Sequence, residues 1–184
     1  MTWYEFLLFL HIACAVIWLG GSFTLQMYGV VVRRGGDPAE LAQFAGRAGV
    51  LGERMFTPAS LLVLLAGIGL MVEGSWDWGL LWVDFALVTF AASFVVGLFL
   101  IAPTAKRLPR VGPTTSEGQE LIRRIFTILR VDLTFLFAIV FAMIVKPTSD
   151  DGWVLLIAAA VVVALTAVFL APLRATKPTA PATD

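Results

Sequence analysis

The chain has 184 residues, of which 59% are hydrophobic and 14% charged, with a formal net charge of zero and a mean hydropathy of +0.91. A water-soluble domain normally carries about 25% charged residues, so this one cannot cover its own surface with polar groups. That excludes the soluble classes and points to the lipid bilayer as the main partner, with no nucleic-acid partner expected. A lone cysteine, Cys14, rules out an internal disulfide framework.

The chain opens MTWYEF, with an acidic residue and no basic one. It lacks the charged start of a signal peptide, so the first helix is expected to stay in the mature protein. A transmembrane helix needs roughly 20 apolar residues, and residues 3–32, 56–72, 78–102, 125–145 and 153–173 qualify. The predicted fold is therefore all-α, an integral membrane bundle of five transmembrane helices forming one domain over residues 1–174. Asp37 is a natural N-cap with Pro38 at the first helical position, so a helix is predicted from there. It either lies along the interface or continues into the second span. The tail TKPTAPATD, within residues 175–184, is expected to be a disordered cytoplasmic segment.

Orientation follows from the basic residues. Arg33, Arg34, Arg47 and Arg54 lie between spans one and two, and Lys106, Arg107, Arg110, Arg123 and Arg124 between spans three and four. Arg174 and Lys177 follow span five, whereas the opposite side holds Lys146 beside Glu73, Asp77, Asp150 and Asp151. The positive-inside rule then places the N-terminus outside and the C-terminus in the cytoplasm. Trp3, Tyr4, Trp76, Trp78, Trp82 and Trp153 are expected to form an aromatic belt at the outer edge. The span ends LFLIAPTAKRLP and VFLAPLRATKP resemble each other. Two outward-to-inward helices that stop with proline and basic residues account for this without an internal repeat.

The polar residues inside the spans are the functional candidates. In FLHIACAVIWLGGSF, His11, Cys14, Trp18, Gly21, Ser22 and Leu25 follow three- and four-residue steps and share one face of the first helix. His11 is the only histidine, roughly 12 Å below the outer end at 1.5 Å per residue. An ionisable side chain in a membrane is by default a functional candidate, with an interhelical hydrogen bond as the competing role. Asp84 lies at similar depth in the third span and is a candidate to receive the second ring N–H of His11. Asp132 is expected to form an intramembrane ion pair with Arg130. Thr89, Ser93 and Gly97, and also Ser60 and Gly67, read as close-packing positions.

Metal templates are sparse: there is no HExxH, no paired CxxC and no second histidine. Copper(I) favours sulfur ligands, and only His11, Cys14 and Met143 could converge on it. Haem brings four ligands of its own and needs only one or two from the protein. On this reading His11 is the axial ligand, Met143 the second ligand, Trp18 an aromatic wall and Gly21 a gap for the flat ring.

Several stretches carry a family resemblance. FLHIACAVIWLGGSF resembles the first helix of the HemJ-like and CopD-like membrane proteins, ERMFTPASLLVLLAGIGLM the second HemJ-like helix, and VDLTFLFAIVFAMIVKP the fourth. Taken together, the five helices most resemble the bacterial membrane family called domain of unknown function 2269. The HemJ-like resemblance implies haem b bound by the first-helix histidine, here His11, and oxidation of a porphyrinogen. The CopD-like one implies copper handling. Asp132 stands where the HemJ-like family has a glutamate, and Asp84 where it has a lysine. SFTLQMY replaces the family's tyrosine-leucine-proline-arginine stretch, which separates this chain from the porphyrinogen oxidases while keeping the ligand position. The function so expected is haem b binding for a redox or porphyrin-related task in the bacterial inner membrane, with a redox partner or a second copy as further partner. Copper handling is the alternative, and a cofactor-free accessory subunit or small-molecule transporter the third reading.

Overall fold

The computed structural model describes residues 1–174, all of whose regular elements are helices; the expected disordered tail, 175–184, lies outside the described residues. Helix α1 spans Trp3–Gly35. It starts at a reciprocal cap: Glu5 N donates to Thr2 Oγ1 at 3.2 Å, and Thr2 N donates to Glu5 Oε2 at 2.7 Å. Gly36, at φ 76°, ends it in the left-handed conformation. Helix α2, Pro38–Leu51, begins at Asp37, whose carboxylate accepts from Ala39 N at 2.8 Å. It runs through a π turn at Gly52–Phe56 into α3, Thr57–Glu73. Helix α4, Leu81–Val96, runs through a second π turn at Gly97–Ile101 into α5, Ala102–Val111. Helices α6, Ser116–Val145, and α7, Gly152–Arg174, complete the chain.

Both π turns have the same cause. Thr57 N bonds to Gly52 O and Ala102 N to Gly97 O, each five residues back, and each bond directly precedes a proline, Pro58 or Pro103. A proline ring clashes with the carbonyl four residues earlier. Widening the preceding turn moves that carbonyl aside and lets the helix continue. The helix begun at Pro38 thus continues into the second span.

Among the described residues, five continuous helices are long and apolar enough to cross a membrane: Trp3–Gly35, Pro38–Glu73, Leu81–Val111, Ser116–Val145 and Gly152–Leu173. The first four have 33, 36, 31 and 30 residues, well beyond the roughly 20 that a bilayer needs. Their surplus projects on the face that carries most arginines, here the basic face; the other is the N-terminal face. There Val32 of α1, Leu41 of α2, Leu108 of α5 and Leu121, Ile122 and Phe126 of α6 form a buried cluster. Hydropathy marks residues 103–124 as a polar connection and leaves the helix predicted from Pro38 without a docking partner, yet α2, α5 and the start of α6 fold into a cap. Lys106–Glu53 at 3.0 Å, Arg107–Glu117 at 3.0 Å and Arg124–Glu120 at 2.9 Å lace its exposed rim. Exposed pairs of this kind contribute little stability each.

Within the bilayer α1 packs along α3, α4 along α6, and α7 against α6, while α1 also meets α6. Many large apolar side chains face outward, among them Phe9, Val16, Leu65, Val88 and Leu156, as lipid contact requires. On the N-terminal face Trp3, Trp78 and Trp153 are exposed. Two tryptophans expected in the belt turn inward: Trp82 is buried, and Trp76 meets it edge-on at 5.6 Å. Lys146 Nζ lies 4.5 Å and 5.4 Å from their ring centroids, a cation–π cage at the end of α6.

Candidate functional site

His11 lies on the face of α1 that packs against α3. Its Nδ1 is 2.8 Å from the backbone oxygen of Val63. A carbonyl only accepts, so Nδ1 carries the hydrogen, and in a neutral ring Nε2 keeps the lone pair. Nε2 has no protein partner among the described residues. Gly67, one turn on from Val63, leaves room for the ring: a Cβ there would lie 3.1 Å from His11 Cε1. The interhelical hydrogen bond is therefore present, and it is also the bond that orients a ligating imidazole.

The rest of the stripe turns inward as its spacing predicts. Cys14 is buried, and Trp18 meets Phe90 of α4 edge-on at 5.4 Å. At Gly21, however, the expected gap is filled by protein, because a Cβ would lie 2.6 Å from Phe56 Cε1. The adjoining surface cleft, about 340 Å³, is lined by Gly20, Gly21, Thr24, Tyr28, Met55 and Phe56 among others. It lies ten residues, or roughly 15 Å, from His11 along the helix.

Two expected partners of His11 lie elsewhere. Asp84 is exposed and makes no hydrogen bond to His11 among the described residues. The buried face of α4 is Trp82, Val83, Ala86, Thr89, Phe90 and Ser93, which turns Asp84 outward. Equal depth fixed the level of Asp84 but not the rotation of its helix. Met143 packs with Met71, Trp76, Leu80, Trp82 and Val83 in a cluster near the N-terminal face. Gly67 faces His11 and Gly69 faces Leu7, so Met71 lies nearer that face than His11 does.

The expected ion pair of Asp132 with Arg130 is replaced by a bond between helices. Ser93 Oγ of α4 donates to Asp132 Oδ1 of α6 at 2.5 Å. Residues two apart on a helix point to different sides, so Arg130 cannot reach Asp132. Ser93 had the signature of a packing position; its hydroxyl, facing a lone carboxyl in an apolar helix, was the available signal.

Sequence reasoning missed Gln26. It is 5% exposed and its Nε2 has no partner among the described residues. Phe23 meets Phe137 edge-on at 6.4 Å, and Gly29 faces Phe126, so Gln26 lies level with residues 130–134 of α6. A cleft of about 200 Å³ opens there, lined by Gln26, Arg130, Leu133, Thr134, Phe137, Leu165 and Phe169. The signal was a single amide inside the apolar run of α1.

Among the described residues no group of three or more His, Cys, Asp or Glu side chains could hold a metal ion. The arrangement can supply one imidazole nitrogen to a group that brings its remaining ligands with it.

Fold and site together define an all-α, multi-pass integral membrane protein with one oriented intramembrane histidine. The family model described as predicted integral membrane protein (DUF2269) matches residues 5–147, and the chain belongs to that family. No curated protein and no solved structure matches the chain.

Proposed function

We propose that the protein binds haem b through His11 Nε2 and serves a redox or porphyrin-related task in the bacterial cytoplasmic membrane. The observation that carries this reading is the Nδ1–H bond to Val63 O, which leaves the Nε2 lone pair without a protein partner. A backbone carbonyl behind a ligating histidine sets its tautomer and its ring orientation. Gly67 keeps the space that this orientation needs. The resemblance of FLHIACAVIWLGGSF to HemJ-like first helices supports the same residue. When bound, haem would supply one-electron chemistry, and an electron partner or second copy of the chain completes the proposal. Copper handling lacks a comparable observation, because the protein would have to provide the whole ligand set.

The first test is the absorption spectrum of detergent-purified protein titrated with haem b. A saturable, shifted Soret band at one haem per chain is expected; haem that stays unbound contradicts the proposal. Met143→Leu asks whether the thioether in the outer cluster acts as second ligand. Because Met143 packs with Met71, Trp76 and Trp82 nearer the N-terminal face, haem is expected to be retained with an unaltered spectrum, and an altered one would return Met143 to the site.

The proposed orientation is N-terminus outside and C-terminus cytoplasmic, supported by Arg33, Arg34, Arg47, Arg54, Lys106, Arg107, Arg110, Arg123 and Arg124 on one face. Reporter fusions at Lys106 and Asp151 should report opposite sides of the membrane, with Lys106 cytoplasmic. The reverse pattern contradicts the orientation.

A further inference from the structure

The cleft between α1, α6 and α7 combines features that the haem reading does not use. Its polar end holds Arg130, which is exposed and has no ion pair among the described residues. Beside it lies Gln26, buried, with its amide nitrogen unpartnered. A buried polar group without a partner is costly, and costlier in lipid, where water cannot substitute. Among the described residues no acidic side chain lines the cleft, and the nearby carboxyl of Asp132 is engaged by Ser93 on the α4 side. The donors therefore lack an acceptor.

Thr134 of α6 also lines the cleft, its hydroxyl donating to Arg130 O at 2.9 Å, and the remaining walls are apolar: Leu133 and Phe137 of α6 face Leu165 and Phe169 of α7. Phe137 is seven residues beyond Arg130 toward the N-terminal face, or roughly 10 Å along the helix. The cleft thus runs from a cationic end toward the middle of the bilayer. Arg130 itself lies fifteen residues from Val145, roughly 22 Å from that end of α6. In a hydrocarbon layer about 30 Å thick, its long side chain reaches the headgroups on the basic face.

We propose that this cleft binds an anionic phospholipid from the leaflet on the basic face. Arg130 pairs with the phosphodiester, the Gln26 amide donates a hydrogen bond to the headgroup, and an acyl chain lies along Phe137 and Leu165. A guanidinium fork matches phosphate oxygens in pairs, and basic pockets between transmembrane helices are suited to anionic headgroups. With no acid in the lining, a zwitterionic lipid finds no partner for its ammonium. The site is independent of the haem reading and uses none of its residues.

The test is competition between phosphatidylglycerol and phosphatidylcholine, mixed at equal concentration with delipidated protein, with bound lipid read by native mass spectrometry. Wild type should retain phosphatidylglycerol in about tenfold preference. Arg130→Gln should bring the ratio near one, Gln26→Leu should lower it severalfold, and Arg130→Lys should keep part of it. Arg124→Gln removes a neighbouring charge outside the cleft and should leave the preference in place. Equal retention of the two lipids by wild type overturns the proposal without recourse to a variant. An undiminished preference in Arg130→Gln overturns it as well. Palmitate displacing phosphatidylglycerol as well as phosphatidylglycerol itself does would make the ligand a carboxylate and overturn the phosphodiester assignment.

Discussion

Gly29→Val is expected to destabilise the folded bundle by about 3 kcal/mol. A Cβ at residue 29 would lie 2.7 Å from Phe126 Cε1 and 2.8 Å from Phe44 Cζ. Those rings stack on one another at 6.4 Å with planes 14° apart. Neither can swing away freely. Phe126 is buried against Val32, Leu41, Leu121 and Ile122, and Arg33 sits 5.6 Å over its centroid. Tyr28 braces Phe44 edge-on at 5.7 Å. The comparison variant is Gly20→Val on the same helix, where an added Cβ meets nothing within 4 Å. Unfolding in mixed micelles should show Gly29→Val well below Gly20→Val; equal stability would contradict the packing described at the basic-face cap.

Ser93→Ala is expected to cost about 1–2 kcal/mol, because it leaves the Asp132 carboxyl without its partner across the α4–α6 contact. Asp132→Asn keeps an acceptor for the hydroxyl and should cost less. The decisive comparison is the double variant Ser93→Ala with Asp132→Leu, which removes both polar groups at once. If the bond between helices is what matters, the double variant should be more stable than Ser93→Ala alone. Costs that simply add would show that the two residues are not coupled.

Much of the fold was legible because hydropathy reads length and depth well. All five spans, and the inward turn of the His11, Cys14, Trp18 stripe, follow from apolar runs and three- and four-residue spacing. Hydropathy averages over all sides of a helix, and that is where the reading stopped. Leu108 sits in a charged stretch that reads as a loop, and for the helix begun at Pro38 the choice between interface and span stayed open, so the meeting of Leu41 with Leu108 in the basic-face cap could not be read. Asp84 could be placed at the level of His11, but rotation is set by packing, and the face of α4 with Trp82 and Phe90 took the interior. Gly21 was read as empty space without knowing that Phe56 would fill it. Gln26 and Ser93 were missed as polar sites because one amide or hydroxyl barely moves a window average. The partner that matters to Ser93, Asp132, is a residue far away in the chain.

The central claim is that His11 Nε2 would hold the iron of a bound haem b, and resonance Raman spectroscopy of the ferrous protein tests it most directly. Wild type loaded with haem b should show an iron–histidine stretching band. His11→Gly should lose both the band and tight haem binding, and added imidazole should restore both by taking the vacated position. An iron–histidine band that persists in His11→Gly without imidazole cannot arise from this chain, whose single histidine is gone. A haem spectrum identical in wild type and variant would contradict the assignment of His11 and leave its bond to Val63 O as a packing contact alone.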